Sequence, residues 1–442
     1  MNDKKTLGII SLGCDKNRVD SEKLLATLEE KYNITSEIED AQIIVVNTCA
    51  FLGSARKEAI ETAIECSAYR ETGKLEKLIM TGCLPQRFID ELYEPFTEVD
   101  GFLGTFDYDL FEDTVNRCYA GERVNNVKRG KNPNVIKRKV TTPLHYAYLK
   151  IADGCNNHCT YCLIPSIRGK YFSYPINELL CEAEGLGEVS ELILVAQDVT
   201  RYGIDLYGKN TLCELISKLS KLENIQSIRL LYCYPDMIDN ELIEQLSNNN
   251  KLVKYLDIPL QHASSSVLKR MNRKGNHESY LELVKTLKQR VPGIALRSTF
   301  IAGFPGETQE DFEILKDFIK QAKLLNAGFF AYSKEEGTPA YKLPNQVEER
   351  VKKQRVKELY SIQKQISKEN LSSYKGKTLS VICDGIDYDR QCFFGRAYFQ
   401  APDIDGKIYF TAGEDGEVIN QGEVYNVKIT RNNAYDLFGR TV

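Results

Sequence analysis

The run Gly154-Cys155-Asn156-Asn157-His158-Cys159-Thr160-Tyr161-Cys162 holds three cysteines at C-x3-C-x2-C spacing. Thiolate softness suits iron–sulfur clusters and zinc alike. Spacing this compact lets three sulfurs reach three irons of one cubane and leaves the fourth iron without a protein ligand. An open metal position is what chemistry at a metal requires. The alternative is a closed zinc site completed by His158 or a distant residue. Placement just past a predicted barrel strand favours the reactive reading, because functional groups on βα barrels gather at the carboxyl ends of the strands.

A second constellation consists of Cys14, Cys49 and Cys83, each within three residues of the end of a predicted strand: LGIIS (7–11), AQIIVVNT (41–48) and KLEKLIMT (74–81). In a parallel sheet those loops share one edge. Cysteines about 35 residues apart can therefore converge there on a shared metal cluster. Gly13, Thr48 and Gly82 stand immediately before them. Cys66 and Cys118 fall in helical patterns, where burial explains a cysteine. Cys181, Cys213, Cys233, Cys383 and Cys392 show no grouping and read as core or incidental.

The elements that must position these thiols follow from periodicity. Residues 1–125 alternate strand and helix, which indicates a parallel α/β domain. Residues 121–140 carry seven Lys/Arg against one acidic residue, without clear periodicity; 126–145 reads as a basic, solvated linker. From 146 to 371, six apolar runs (147–151, 191–198, 225–232, 254–261, 294–303 and 326–333) are interleaved with helical segments such as 280–290 and 308–323. They predict an open (βα)6 partial barrel, closed off by a long charged helix over 347–371. From Lys375 to Val442 the Gly-punctuated alternating runs TLSVICDG, QCFFGRAYF, GKIYFTAG and EVYNVKITR predict a small antiparallel β-barrel of the OB type.

Length and composition set the outer bounds. A chain of 442 residues has room for two or three domains, and 42% hydrophobic with 27% charged residues excludes a disordered chain. No eighteen apolar residues run together and no signal peptide opens the chain, so no membrane association and a cytoplasmic location are expected. Thirteen cysteines would there be kept reduced, which turns their grouping toward metal or catalysis. A net charge of −4 argues against a surface that tracks a phosphate backbone throughout.

The C-x3-C-x2-C run, with aromatic Tyr161 before its last cysteine, resembles the radical S-adenosylmethionine superfamily. The resemblance implies that the open iron binds S-adenosylmethionine, and that one-electron reduction splits the sulfonium to give a 5′-deoxyadenosyl radical. Tyr161 lies within the motif itself, and GFPGE (303–307), from Gly303, resembles the superfamily's stretch that borders the adenine. By position, Gln197 and Asp198 end one predicted strand and Gln261 and His262 another, so each would face the mouth of the barrel; Arg297 either pairs with the cofactor carboxylate or is an ordinary surface arginine. A polar strand end is as often a helix cap. Two three-cysteine sites followed by a small β-barrel resemble the methylthiotransferases over essentially the whole length. SLGCDKNRVDSE (11–22), GCNNHCTYCLIPSIRGKY (154–171) and EEGTPAY (335–341) look like their RimO branch.

That branch modifies an aspartate of small-subunit ribosomal protein S-twelve. The resemblance therefore implies two 4Fe-4S clusters, S-adenosylmethionine as both radical source and methyl donor, a C-terminal TRAM domain, an external one-electron donor and a sulfur source. The β-carbon hydrogen of an aspartate is too weakly acidic for a side-chain base, which makes radical entry the plausible route. Residues 375–442 contain eight Lys/Arg and ten Asp/Glu. Such a tail suits a basic protein partner better than the tRNA gripped by the sister branch. The tRNA-modifying branch, and a non-catalytic iron–sulfur protein that carries electrons or binds RNA, remain the alternatives.

Overall fold

The computed structural model describes residues 4–128, 137–413 and 418–442. It falls into two compact units: residues 1–141 with 148–158 and 162–186, and residues 142–147 with 159–161 and 187–442.

The first unit is built on a parallel sheet of β1 (Thr6–Ser11), β2 (Asn33–Ile34), β3 (Ile43–Thr48), β4 (Lys77–Gly82), β5 (Gly101–Leu103) and β6 (Val124–Asn126), in the order β2-β1-β3-β4-β5-β6. The run IIVVNT of β3, β-branched at all positions but Asn47, is buried at all six, as befits a central strand covered on both faces. Ile44, Val46, Leu78 and Met80 pack toward Ala59, Ala63 and Cys66 of the helix Gly53–Ser67 on one face. Ile43, Val45 and Ile79 pack toward Leu24, Leu28 and Val115 on the other.

Two features of this unit differ from the sequence reading. Strand β6 straddles the expected boundary with the basic linker at 125/126 and is not foreseen, because three alternating residues are too short a run to register as a strand. Arg138, from the same basic stretch, is buried between Glu22 (2.8 Å) and Glu182 (3.0 Å), so part of the segment is an ion-paired strap and not a solvated tether. Residues 129–136 of the expected linker lie outside the described residues.

The six runs expected for the partial barrel all appear as strands. They are β7 (Tyr146–Lys150), β10 (Val189–Val195), β11 (Ile225–Leu230), β12 (Leu252–Asp257), β13 (Ala295–Ala302) and β14 (Asn326–Ala331), in the sheet order β14-β13-β12-β11-β10-β7. Between the first two, the short antiparallel pair β8 (Ala152–Asp153) and β9 (Phe172–Ser173) brackets the C-x3-C-x2-C run. The helix Gln309–Ala322 starts on a capping box in which Thr308 and Asp311 satisfy each other's backbone N–H. The long helix spans Glu349–Ser372.

The C-terminal strands β15 (Thr378–Asp387), β16 (Cys392–Arg396), β17 (Ile408–Thr411), β18 (Val424–Asn432) and β19 (Leu437–Thr441) close into a barrel in the order β15-β16-β17-β19-β18. One pairing departs from the antiparallel expectation: β17 and β19 run parallel. Within the second unit this barrel is tied to the larger sheet through buried ions. Glu191 on β10 takes Arg229 (2.6 Å) and Arg396 (2.5 Å), and Arg396 also grips Asp384 at 2.8 Å.

Candidate functional site

Cys14, Cys49 and Cys83 follow β1, β3 and β4, three neighbouring parallel strands, so all three loops open on one sheet edge. Gly13, at φ +92°, lets the first loop close on the second; a Cβ there would come within 2.6 Å of the Cys49 Cβ. Asn17, fully buried in the first turns of the helix Asp15–Leu28, is the hub of this edge. Its side-chain N–H groups donate to the carbonyls of Leu12 (3.0 Å) and Thr48 (2.9 Å), and its Oδ1 lies 3.9 Å from the Cys83 thiol. One amide therefore touches all three cysteine loops.

Behind Asn17 stands a buried ion cluster. Arg168 donates from Nη2 to Asn17 Oδ1 (2.6 Å) and from Nη1 to Asp20 (2.9 Å) and Asp153 (2.7 Å). Lys150 bonds Asp153 at 2.8 Å and also pairs with Asp20. Burial pushes the Cys83 thiol up to about 12, with the Arg168 charge pulling against it. Burial also raises Cys49, again opposed in part by Arg168. For Arg168 itself burial opposes the charge, and Asp153, Cys83, Asp20 and Cys14 together outweigh it.

The C-x3-C-x2-C segment is shaped by equally local contacts. In the first unit Cys155 N–H donates to the Gly169 carbonyl (3.2 Å), and Tyr171 N–H to Asn156 Oδ1 (3.1 Å). Asn157 N–H points at Cys155 Sγ and Ile164 N–H at Cys162 Sγ, each at 3.4 Å, the kind of contact that stabilises a thiolate ligand. In the second unit Cys159 has Arg273 Nη1 at 3.7 Å. That guanidinium also lies over the Tyr234 ring at 4.2 Å and donates to the Pro259 carbonyl. Tyr161 packs against Val267, Met271, Phe304, Tyr332 and Ala340.

The other expected contacts are placed as follows. Asp198 is fully buried and caps the turn Val199–Arg201, accepting from Thr200 and Arg201. Arg297 is engaged by Asp257 (2.8 Å) and Asp405 (3.5 Å). Gln197 follows β10, and Gln261 adopts φ +71° while bridging to Phe300 of β13. Gly303 opens a turn in which its N–H and that of Phe304 donate to Glu307, whose other oxygen holds Arg355 at 2.7 Å. A Cβ at Gly303 would meet Lys352 Cγ at 2.3 Å. His262 lies 3.6 Å from Glu307 and accepts from Ser264 N–H.

No disulfide forms among the thirteen cysteines; Cys66, Cys118, Cys213, Cys233 and Cys383 are buried, Cys181 is exposed and Cys392 is intermediate. Among the described residues no three His, Cys, Asp or Glu side chains converge tightly enough to hold a single metal ion. A cubane spreads its thiolates over separate irons and asks for a wider set. The residues fit such a group: three thiols open on one edge, and the Arg168 guanidinium lies close enough to lower the Cys83 and Cys49 thiols against their burial.

Sequence reasoning missed Asn17, Arg168 and Arg273. Two of them lie in quoted motifs, SLGCDKNRVDSE and GCNNHCTYCLIPSIRGKY, but their partners are distant in sequence. Asn17 and Arg168, which bond each other, are 151 positions apart.

A parallel sheet with cysteines at its edge, a six-stranded half-barrel carrying C-x3-C-x2-C and a closing five-stranded barrel define a radical S-adenosylmethionine protein of three parts. The sequence matches the Radical SAM superfamily over 149–319, the TRAM domain over 376–442 and the uncharacterized protein family UPF0004 over 6–104. Membership in that superfamily carries S-adenosylmethionine and a four-iron cluster with it. Among solved structures, the cobalamin- and cluster-bound methyltransferase TsrM from Kitasatospora setae shares the fold. The TM-score is 0.56 at 14% identity, over 76% of this chain and 74% of that one. The cobalamin-dependent radical enzyme OxsB does so at TM-score 0.53, over 82% and 56%.

Curated relatives are nearer. The ribosomal protein uS12 methylthiotransferase RimO of Lachnoclostridium phytofermentans is 45% identical over 97% of this chain and 98% of its own. Its counterpart in Acetivibrio thermocellus is 44% identical over 99% of each. The chain belongs to the RimO family of radical S-adenosylmethionine methylthiotransferases. Among the described residues no helix is long and apolar enough to cross a membrane.

Proposed function

We propose that this protein inserts sulfur at the β-carbon of an aspartate of ribosomal protein uS12 and methylates it, with one four-iron cluster at each three-cysteine site. The observation that carries this reading is near full-length identity of 45% with proteins that bear that activity in their names. Cys155, Cys159 and Cys162 would hold the cluster that engages S-adenosylmethionine, and Cys14, Cys49 and Cys83 the one that handles sulfur. When bound, the first cluster and S-adenosylmethionine supply a radical able to take hydrogen from an unactivated carbon.

The chain's own residues bind and orient. The N–H groups of Asn157 and Ile164 aim at two of the barrel thiols, and Arg273 sets a positive charge beside the third. Tyr161 anchors the segment in the apolar cluster around Phe304, next to the turn begun by Gly303, which would border the cofactor. An external one-electron donor and a sulfur source complete the reaction, with uS12 as partner, free or within the small subunit.

Mass spectrometry of ribosomal proteins and tRNA from a strain lacking this gene tests the reading. Loss of the methylthio group from uS12, with tRNA unchanged, is expected. Loss from tRNA alone assigns the protein to the sister activity, and no change in either favours a non-catalytic role.

A further inference from the structure

The two cysteine sites are joined by one short piece of chain. Six residues after Cys162, the helix Ile164–Arg168 ends on the guanidinium that faces the N-terminal thiols. Leu163 and Ile167 seat this segment in the apolar core of the N-terminal sheet, among Ala50, Met80 and Leu84. With its apolar side fixed there, Arg168 has little freedom: it is 3% exposed and its two ends are held differently. Nη1 is bound by Asp20 and Asp153, while Nη2 reaches Asn17, the amide that touches the Cys14, Cys49 and Cys83 loops. The positive charge is thus aimed at the thiols by carboxylates placed behind it.

We propose that Arg168 is a positioning residue for the N-terminal site. Delivered by the segment that follows the barrel cysteines, it balances the negative charge of a thiolate-bound cluster on Cys14, Cys49 and Cys83 and raises that cluster's reduction potential. The inference rests on the assignment of a cluster to those thiols. Its physical basis is that reduction adds negative charge, which a fixed cation in a buried, weakly screened setting favours. Arginine suits the task because its planar fork bonds two carboxylates and an amide at once in one fixed geometry, while a lysine would keep the charge. One consequence is that the N-terminal site takes its working form only when the segment after Cys162 is seated in the first unit.

The test is a redox titration, followed by electron paramagnetic resonance, of the anaerobically reconstituted full-length protein and its Arg168→Gln and Arg168→Lys forms. The N-terminal signal is assigned in a Cys155→Ala, Cys159→Ala, Cys162→Ala background. Arg168→Gln should move the N-terminal midpoint to more negative potential, with iron content and the barrel midpoint unchanged, and Arg168→Lys should recover most of the shift. An unchanged midpoint, an equal shift at both clusters, or a lysine form no better than the glutamine form overturns the proposal.

Should Arg168→Gln fail to fold, Asp20→Asn is compared with and without Arg168→Gln, so that the carboxylate lost is the same in both proteins and only the guanidinium differs. A midpoint lower in the double form than in Asp20→Asn alone supports the inference and equal midpoints refute it. Absence of any cluster on the N-terminal thiols of the background protein refutes the functional assignment, and this inference with it. A cluster that is present but insensitive to Arg168 refutes this inference alone.

Discussion

Replacing Asn17 with Ala removes one small amide and releases three loops. The carbonyls of Leu12 and Thr48 lose their donor, and Arg168 and the Cys83 thiol lose their acceptor. Asn17 is fully buried, so water does not readily replace these bonds. A buried polar group left unsatisfied costs about 1–3 kcal/mol, and bonds to charged groups sit at the upper end of that range. Two carbonyls at about 2 kcal/mol each give roughly 4 kcal/mol, since the guanidinium keeps its two carboxylates, against a net stability of about 5–15 kcal/mol for a typical protein. The variant should therefore fold, with a denaturation midpoint clearly below wild type. Its three loops would no longer be held on one edge, so iron after anaerobic reconstitution should fall to about half while the barrel site stays loaded. The measurements are urea unfolding of the reconstituted protein and iron per chain. A destabilisation under about 1 kcal/mol together with full iron content would refute the claim that this amide organises the site.

Three further outcomes are expected. Wild-type protein should bind about eight irons as two cubanes; with Cys155, Cys159 and Cys162 all changed to Ala that number should halve, and iron assay with zinc analysis checks it. With Cys14, Cys49 and Cys83 changed to Ala, the folded protein should still cleave S-adenosylmethionine to 5′-deoxyadenosine but insert no sulfur, as read by chromatography of the products. On the C-terminal barrel the exposed carboxylates Asp389 and Asp403, changed to Lys, should weaken uS12 binding in calorimetry, and the wild-type affinity should fall as salt rises. Tighter binding by the lysine form would point to a nucleic-acid partner instead.

The fold was legible in the sequence wherever a run was long enough to show a period. All six half-barrel strands and the helices Gln309–Ala322 and Glu349–Ser372 carry a clear alternation or helical repeat, and each appears. The elements not foreseen are short: β2 and the β8–β9 pair have two residues per strand, β5 and β6 three. The parallel pairing of β17 with β19 depends on barrel closure, which no local pattern encodes. The cysteines could be read because strand ends on one sheet edge are a topological consequence of alternation. Their supports could not, since Asn17, Arg168 and Arg273 act through long-range partners. Charge counting also has a limit: Asp384 adds to the acidic sum of the tail, yet it is held by Arg396 and His145 and offers no free charge to a partner.

The placement of the remaining cysteines bears on why each site has three thiols. A fourth thiolate would close a cubane and leave no iron for exchange. In the first unit Cys66 and Cys118 could in principle supply one. Both are committed elsewhere: Cys66 is packed with Ala59 and Ala63 under one face of the sheet, and Cys118 with Phe111 and Val115 under the other. Cys181 is exposed on the helix Ile176–Glu184. The fold thus gathers three thiols at the strand ends and turns the others into core or surface. On the proposed cluster assignment, the vacancy that chemistry at a cluster needs would follow from burial pattern and sheet topology.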